Sequence, residues 1–370
     1  MKFTIDTIRL QSMLSKVLKC ASEMPDRPLT ELILIKLADG ELSLTTTDFT
    51  NYMVVKETEI SGDNMEVVVK IKTFASLISK MTSDLITLEL KDNYLEVVGN
   101  GVYKIELILD DNGEVLKFPN PINSMPKDNL ITTISSATIA KIIGGLKQSL
   151  YVLDKGESEK PYTKYLVGET CLASNGYVIS SLATSVFNDY KSITTKLMNI
   201  LGVIDDSDIN VYANTKLNNA GVEIKELAFE SEHYSIYGLE SSDVKDFPLA
   251  QLNEYFARQF ESSCVVGKSA LLQLLGRISL FIDTYDNNAI TLNFTNDGLE
   301  VSNKTSAGVE KISYNKVNNP KEFVCLVNIK HLEPQIKAMS GDLVTIYYGD
   351  ESTIKLTDNN GLTTVIALGE

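Results

Sequence analysis

The chain has 370 residues, of which 44% are hydrophobic and 22% charged, and its formal net charge is −15. This length predicts two or three domains rather than one core, and no run of about 18 apolar residues is present that could span a membrane. The start, MKFTIDTIRL, lacks the apolar core of a secretory signal, so we expect a folded cytoplasmic protein. Taken alone, the acidic charge argues against a nucleic-acid partner.

The first third of the chain predicts two helices separated by strands. The apolar face of the first helix, over 8–22, consists of Leu10, Met13, Leu14, Val17 and Leu18. The stretches DGELSLTTTD and MEVVVKI have the alternation of strands. A second helix over 71–83 aligns Phe74, Leu77, Ile78 and Met81.

The same order of elements recurs twice. Helices are predicted over 136–149 and 191–203 in the middle third, and over 266–280 and 327–340 in the last third. Each third therefore contains two helices and several antiparallel strands. This pattern is typical of an α+β fold rather than of a βαβ fold.

Two short phrases also recur at similar spacing. MTSDLITLEL, SDINVYANT and MSGDLVTIYY place Asp84, Asp208 and Asp342 at steps of 124 and 134 residues. GELSLTTTD, GETCLASNG and DGLEVSNKT place Asp48, Asn175 and Asn303 at steps of 127 and 128 residues. Two independent phrases with one period predict three copies of a unit of roughly 125 residues.

We expect these copies to form three tandem domains over 1–122, 123–250 and 251–370. Each would consist of two helices packed on antiparallel sheets. The boundaries are expected near 118–129 and 246–256, two proline-containing stretches in which the periodic pattern lapses.

The charges are distributed unevenly between the predicted helices and the rest of the chain. The six helical stretches contain one acidic residue, Glu333, and 13 basic residues: Arg9, Lys16, Lys19, Lys72, Lys80, Lys141, Lys147, Lys191, Lys196, Lys268, Arg277, Lys330 and Lys337. They carry +12, which leaves −27 for the other residues. Lysine is a good helix former, but glutamate has a similar propensity, so propensity alone does not account for the imbalance.

A basic helical surface on an acidic body predicts a protein that follows a phosphate backbone. Lys and Arg contacts to phosphate carry no sequence information, so binding would be independent of sequence. The helices lack the aromatic residues expected of a platform that stacks single-stranded bases. Duplex DNA or RNA is therefore the expected ligand.

The chain resembles the bacterial DNA polymerase III beta subunit, the sliding clamp, as a divergent member. MKFTI, RPLTELILIKLADGELSLTTTDFTNYMV at 27–54, ASNGY at 173–177 and KDFP at 245–248 carry the resemblance. It implies three clamp-fold domains per subunit and a head-to-tail homodimer that closes a ring around duplex DNA. It also implies a non-catalytic processivity factor without cofactors or a membrane. Its expected partners are the replicative polymerase, a clamp loader and other proteins with clamp-binding motifs.

The resemblance assigns roles to particular residues. Arg27, Lys72 and Tyr162 match DNA-contacting positions, which add to the helical set of Arg9, Lys16, Lys80, Lys141, Lys147, Lys191, Lys196, Arg277, Lys330 and Lys337. Tyr103, Ile105, Leu280 and Phe281 match the dimer seam, although ordinary core packing is an equally good explanation of these four.

The resemblance also implies a groove that receives short linear peptides. It would involve Thr163, Ser174, Gly176, Tyr177, Val178, Ile179, Pro248, Thr364, Ile366 and Leu368. The family usually has His-Arg where this chain has Tyr177-Val178, and it ends in Met-Pro-Met-Arg-Leu where this chain ends in 366–370, IALGE. We therefore expect an altered peptide preference, as in a plasmid-borne or phage-borne clamp.

Other kinds of site are not favoured by the sequence. VGKSALL at 266–272 lacks the first glycine of a phosphate-binding loop, and the two histidines, His233 and His331, lack metal-ligand spacing. Asp48 and Asp350 are expected to cap turns rather than to form a catalytic pair. The four cysteines contain no CxxC pair, which predicts free thiols. The alternative function is an acidic repeat scaffold that binds peptides without encircling DNA.

Overall fold

The structure is a computed structural model that describes residues 1–22, 24, 26–151, 163–218, 220–240, 247–282 and 288–369. The helices within these ranges are α1 (Thr7–Val17), α2 (Ile71–Ile78), α3 (Ser136–Leu146), α4 (Thr195–Leu201), α5 (Leu249–Ala257), α6 (Lys268–Ile278) and α7 (Ile329–Ala338). In the described parts of the chain, no helix combines the length and the apolar character needed to cross a membrane.

The strands form four sheets. The strands of the first third are β1 (Lys2–Asp6), β2 (Leu32–Ala38), β3 (Glu41–Thr47), β4 (Tyr52–Glu57), β5 (Met65–Lys70), β6 (Leu85–Leu90), β7 (Tyr94–Val98) and β8 (Val102–Glu106). Those of the middle third are β9 (Leu130–Ile134), β10 (Tyr165–Val167), β11 (Cys171–Ser174), β12 (Val178–Leu182), β13 (Lys191–Ile193), β14 (Ile209–Leu217), β15 (Glu223–Glu230) and β16 (Tyr234–Leu239). Those of the last third are β17 (Ser262–Gly267), β18 (Ala289–Phe294), β19 (Gly298–Asn303), β20 (Val309–Ser313), β21 (Lys316–Asn318), β22 (Phe323–Asn328), β23 (Leu343–Tyr348), β24 (Thr353–Thr357) and β25 (Leu362–Ala367).

The order of these elements repeats three times, as the sequence predicts. Each third begins with a strand and a helix, continues with a group of strands and a second helix, and ends with three strands. The last third has one additional short strand, β21. All six predicted helices are present, although each is shorter than its predicted stretch. Helix α5 is a correction, because the sequence stretch 246–256 was interpreted as a boundary without periodic structure.

The described chain divides into two compact units. Unit 1 comprises Met1–Ile139 and Thr194–Glu240, and unit 2 comprises Ala140–Ile193 and Ser241–Glu370. The middle third therefore contributes strands to both units. Within unit 1 its strand β16 pairs with β4, and within unit 2 its strand β12 pairs with β25. The limits of the three expected domains stay a prediction.

Unit 1 contains an eight-stranded sheet in the order β5-β2-β3-β4-β16-β15-β14-β9 and a four-stranded sheet in the order β1-β6-β7-β8. Helix α1 packs on β3, β4 and α2. Its buried face consists of Leu10, Met13, Leu14 and Val17, as predicted, whereas Leu18 is 38% exposed. The amphipathic spacing of α1 thus buries one side of the helix in the core of unit 1.

Unit 2 has the corresponding pair of sheets. The larger one has nine strands in the order β13-β10-β11-β12-β25-β24-β23-β17-β21, and the smaller one has the order β20-β19-β18-β22. Helix α6 packs on α7, β19 and β20, and α7 packs on β22 and β25. The four cysteines are free and buried, as predicted.

The recurring Asp and Asn residues make equivalent turns after β3, β11 and β19. The carboxylate of Asp48 accepts hydrogen bonds from the backbone N–H groups of Thr50 and Asn51, at 3.0 and 2.7 Å. The side-chain oxygen of Asn175 accepts from Tyr177 and Val178, and that of Asn303 accepts from Gly308. All three side chains are buried. These residues recur because each copy needs a side-chain acceptor for the N–H groups of a buried turn.

The recurring phrase that contains Asp84 and Asp342 positions the start of a helix. The carbonyl of Asp84, just before β6, accepts from the N–H of Thr7 at the start of α1. The carbonyl of Asp342, just before β23, accepts from the N–H of Lys268 at the start of α6. A helix leaves its first N–H groups without intrahelical partners, so these carbonyls supply a bond that the helix does not.

A buried carboxylate stabilises the large sheet of unit 1. Glu226 on β15 is 3% exposed, and it is contacted by the Lys216 ammonium, the Tyr237 hydroxyl and the Asn214 amide. Burial by itself raises the pKa of Glu226, but the hydrogen bonds from these three side chains outweigh it, and the net pKa is lowered. The cluster therefore favours the ionised carboxylate.

We expect Glu226→Gln to lower the free energy of unfolding by about 2 kcal/mol at neutral pH, because a buried charge-assisted hydrogen-bond network is lost. A lowered folded-state pKa adds stability above the unfolded-state pKa, and this stability is lost as the pH falls through the folded value. The difference between variant and wild type should therefore shrink in acid. Urea unfolding at several pH values measures it. The control Glu223→Gln removes an exposed carboxylate and should change the free energy of unfolding by less than about 0.5 kcal/mol. A stability difference between Glu226→Gln and wild type that persists unchanged in acid would contradict a stabilising role of the ionised Glu226 carboxylate.

Candidate nucleic-acid interface and peptide groove

The helices remain strongly basic when their observed limits are used. In the described residues, the seven helices contain nine Lys or Arg residues and two acidic residues, Glu254 and Glu333. Several of the predicted DNA-binding cations are nevertheless paired with carboxylates from neighbouring elements. The number of available positive charges is therefore smaller than the sequence count.

Two of these pairs lie in unit 1, on helix α1. The Nε atom of Arg9 is 3.0 Å from a carboxylate oxygen of Glu57, its Nη2 atom contacts the same oxygen, and Nη2 also donates to the Thr58 carbonyl at 3.0 Å. The ammonium of Lys16 is 2.9 Å from the carboxylate of Asp205 and 2.6 Å from the hydroxyl of Tyr234. Both cationic groups are thus bound to acceptors of the same chain.

Two further pairs lie in unit 2. The Nε atom of Arg277 on α6 donates to Glu310 on β20 at 3.0 Å. Lys337 on α7 pairs with Glu333 one turn earlier, at 2.7 Å. Both pairs are partly exposed, so each contributes little to stability, but each offsets a positive charge on its helix.

Two lysines bind backbone carbonyls. The ammonium of Lys196 on α4 is 3.3 Å from the Ala21 carbonyl. The ammonium of Lys268 donates to the carbonyls of Lys337 and Met339, where α7 ends. Cations are stabilised at a helix C-terminus. The ammonium of Lys268, in the stretch VGKSALL, is therefore bound to carbonyls of its own chain and does not extend into a phosphate-binding loop.

The other predicted DNA-binding residues differ in exposure. Lys72, Lys80, Lys141, Lys147 and Lys330 are exposed, and Lys191 is half-buried. Lys141 and Lys337 line a cleft of about 310 Å³ in unit 2 together with Ser340 and Asn360. Tyr162 lies outside the described residues. The DNA-binding role of the set stays a prediction.

Arg27 has a different environment. It precedes β2, is exposed, and its guanidinium lies 5.4 Å from the centroid of the Phe49 ring. Within the described residues, no carboxylate lies at ion-pair distance from Arg27. Its charge therefore faces an aromatic ring and, among the described residues, is not offset by a carboxylate.

A groove in unit 2 is formed by α5 and by the strands β11, β12, β24 and β25. It encloses about 420 Å³ and is lined by Ser174, Gly176, Tyr177, Ile179, Pro248, Leu252, Tyr255, Ser352, Thr353, Val365 and Ala367. Its base is part of a hydrophobic cluster in which Leu252 and Phe247 pack with Ile179 and Val365. The lining is mainly apolar with a few hydroxyl groups, as in sites that bind peptides or small molecules.

Five of the ten residues predicted for a peptide groove line this cavity. They are Ser174, Gly176, Tyr177, Ile179 and Pro248. The other five do not: Thr163, Val178, Thr364, Ile366 and Leu368. Val178, Thr364 and Ile366 are almost fully buried, and the Thr364 hydroxyl is 2.7 Å from the Ser180 hydroxyl.

Strand alternation explains the difference on β25. Successive side chains point to opposite faces of a sheet, so Val365 and Ala367 face the groove, whereas Thr364 and Ile366 face away from it. Both faces of this strand are buried, and burial on both sides removes the hydrophobic alternation that would have identified the groove face. The cavity is thus lined by the neighbours of Thr364 and Ile366 on β25, and the peptide-binding role of this strand stays a prediction.

The sequence analysis also missed the residues of α5. Leu252 and Tyr255 belong to this helix, which follows Pro248 directly. Leu249, Leu252 and Phe256 have the i, i+3, i+7 spacing of a buried helical face, and proline is common at helix starts. These signals indicate a helix, whereas the proline by itself also indicates a domain boundary.

His331, on α7, is a buried histidine. It is 8% exposed, and its ring stacks on Tyr177 with 5.2 Å between the centroids. Burial lowers the pKa of His331. His233, in unit 1, has the opposite shift: the hydrogen bond from its ring to Asp206, 2.8 Å long, raises its pKa.

The predicted dimer residues are of two kinds. Leu280 and Phe281, just after α6, are 80% and 53% exposed, and Tyr103 on the edge strand β8 is 40% exposed. Exposed large apolar side chains beside a sheet edge are typical of an interaction surface. Ile105 is buried, with 5% exposure, and contributes to the core of unit 1.

We expect the two histidines to titrate on opposite sides of the ordinary value. NMR spectra of the imidazole C–H groups against pH measure both, and the variant Asp206→Asn should lower the pKa of His233 alone. Tyr177→Ala should raise the pKa of His331 toward its ordinary value, because removing the stacked ring admits water. An unchanged His331 titration in Tyr177→Ala would show that the stack does not exclude solvent.

Comparisons with known proteins agree with this architecture. The family model of the DNA polymerase III beta subunit N-terminal domain matches residues 1–112. The beta subunit from Thermotoga maritima has a TM-score of 0.80 at 15% identity, and the sliding clamp from Bacillus subtilis has 0.81 at 16%; each match covers 100% of this chain and 99% of the other. The beta subunit from Streptococcus pyogenes has 0.82 at 14% identity, with 100% of both chains covered. No curated protein sequence matches the chain. The resemblance seen in the sequence is thus confirmed: residues 1–112 match the N-terminal domain of the DNA polymerase III beta subunit, and the chain has the fold of that sliding clamp along its full length.

Proposed function

We propose that this protein is a DNA sliding clamp, a replication processivity factor that encircles duplex DNA and tethers a polymerase. The observation that carries the proposal is the coincidence of the beta-subunit match in residues 1–112 with the clamp fold over the full length. The protein would act without catalysis. A clamp needs only a closed path around the duplex and surfaces for its partners.

The basic helices support this function. Phosphate contacts give affinity without selecting a sequence, so a lining of Lys and Arg would hold the duplex and still permit movement along it. The ion pairs of Arg9, Lys16, Arg277 and Lys337 reduce that attraction. We therefore infer that Arg27, Lys80, Lys141, Lys147 and Lys330 supply most of the contacts to DNA.

A single chain would form half of the ring. In a head-to-tail dimer, one surface of each copy meets a different surface of its partner, and such heterologous contacts close when the rotation is completed after two copies. We propose that Tyr103 beside the β8 edge of one copy meets Leu280 and Phe281 of the other. Their exposure as large apolar side chains supports this seam.

The groove of unit 2 would bind the linear motifs of the polymerase, the clamp loader and other partners. Its apolar base fits large apolar side chains of a peptide, and Tyr177 and Tyr255 offer aromatic contacts at its surface. Aromatic residues at such positions commonly dominate the binding energy. Because Tyr177 stacks on His331 and no arginine lines the cavity among the described residues, we propose that the peptide preference differs from that of other clamps.

A threading experiment distinguishes a ring from a scaffold. Protein incubated with a bead-tethered linear duplex is trapped by blocking the free end with streptavidin and is then washed in high salt. We expect retention on the blocked duplex and rapid release once a restriction enzyme cuts it, because a ring leaves by an end. Equal release from blocked and open duplexes would favour the scaffold.

The same assay tests the proposed seam through Phe281→Asp, which places a charge in an apolar contact. This variant should sediment as a monomer and lose retention on the blocked duplex. Leu217→Asp, at another exposed apolar side chain with 70% exposure, is the matched control and should behave as wild type. A dimeric Phe281→Asp protein would exclude this seam.

Selection from a random peptide library tests the groove. We expect selected peptides to contain large apolar residues but to lack the standard glutamine–leucine–phenylalanine pattern, and Tyr255→Ala should weaken them about tenfold in fluorescence anisotropy. The control is Tyr151→Ala, which changes a tyrosine of unit 2 that is 63% exposed and does not line the cavity. Selection of the standard pattern would contradict an altered preference.

A further inference from the structure

Phe49 combines an uncommon backbone conformation with an exposed aromatic ring. Its φ is +72°, in the left-handed region that bulky L-residues rarely adopt, and its side chain is 42% exposed. Among the described residues it is the one large apolar side chain with a positive φ. Both the backbone conformation and the exposed ring are unfavourable in isolation.

The turn that contains Phe49 has an equivalent without this strain. Phe49 follows Asp48 as Gly176 follows Asn175, and Gly176 has a φ of +92°. Glycine adopts such a conformation without a steric penalty. The turn therefore does not need a phenylalanine in order to form, and the presence of the ring requires another reason.

Hydrogen bonds hold the turn rigidly on both sides of Phe49. The N–H of Phe49 donates to the Thr47 hydroxyl at 2.8 Å, and that hydroxyl donates to the Asn51 carbonyl at 2.7 Å. The buried carboxylate of Asp48 accepts from the next two N–H groups. The backbone position from which the Phe49 ring extends is consequently fixed.

The guanidinium of Arg27 lies over the Phe49 ring, 5.4 Å from the ring centroid. This distance is within the range of a cation–π interaction. The backbone of Arg27 is also anchored, because its N–H donates to the Met24 carbonyl at 2.9 Å and its carbonyl accepts from the N–H of Thr30 at 3.0 Å. Asp26 and Glu31 are close in sequence, but neither carboxylate pairs with Arg27 in the described structure.

We propose that Phe49 is a positioning residue that holds the Arg27 guanidinium for a phosphate of duplex DNA. The ring orients the guanidinium without neutralising it, whereas a carboxylate would compete with the phosphate, as Glu57 does for Arg9 and Glu310 for Arg277. A planar guanidinium can contact an aromatic ring and still offer N–H groups for two hydrogen bonds to a phosphate. This inference rests on the proposed DNA-binding function.

The test measures the affinity for a fluorescein-labelled duplex by anisotropy at several salt concentrations. Phe49→Gly should weaken binding about two- to five-fold, the range of an exposed cation–π contact, and its melting temperature should equal or exceed that of the wild type because the strain is removed. Phe49→Tyr keeps a ring and should bind as wild type. Arg27→Ala should weaken binding further and reduce the salt slope by about one phosphate contact.

The double variant Arg27→Ala/Phe49→Gly separates positioning from direct contact. If Phe49 acts through Arg27, the double variant binds no more weakly than Arg27→Ala. Additive losses, a loss confined to single-stranded DNA, or wild-type binding by Phe49→Gly would each overturn the positioning role while leaving the clamp function intact. Absence of duplex binding by the wild type would overturn the proposed function and this inference together.

Discussion

The pairing of strands from different thirds of the chain is the constraint on which the rest of the fold depends. In unit 1, β16 of the middle third pairs with β4 of the first, and in unit 2, β25 of the last third pairs with β12 of the middle. Each copy thereby contributes a strand edge that would otherwise present unpaired N–H and C=O groups to solvent. The repeated turns of Asp48 and Asn175 fix the chain just before β4 and β12, respectively. The repeated unit of helices and strands accounts both for the recurring sequence phrases and for sheets that continue from one third of the chain into the next.

The positive charge of the helices is a second feature of the structure, and local ion pairs reduce it. The helices contain few carboxylates, yet acids on strands and loops reach several of their cations, including Arg9, Lys16 and Arg277. A protein that moves along a polyanion needs attraction without strongly held positions. Offsetting some cations and leaving others available would provide a moderate attraction, since each phosphate contact contributes separately to the salt-dependent affinity.

The sequence predicts the regular elements better than it predicts the site. Amphipathic spacing identifies α1, α2, α3, α4, α6 and α7 because each buries a single face. It does not identify the groove face of β25, since Thr364 and Ile366 are as buried as Val365. The sequence analysis missed helix α5 because a proline such as Pro248 is common both in the loops between elements and at the start of a helix. His331 stacks on Tyr177, which is 154 residues earlier in the chain, and no local pattern reports such a contact.

The chain passes from one third to the next at two equivalent places, and the segments that follow them explain why unit 2 has a groove. Each of these segments begins with Phe-Pro, at 118–119 and again at 247–248. In unit 1 this segment places Ile122 and Met125 against Val54, Ala228 and Tyr237, where both are almost fully buried. In unit 2 it forms α5 instead, and a helix keeps Leu252 on the sheet while Tyr255 stays at the surface beside the cavity. The same covering segment thus buries its apolar side chains in one copy and leaves an accessible apolar floor in the other. A difference of local conformation within a repeat is therefore sufficient to create an apolar groove.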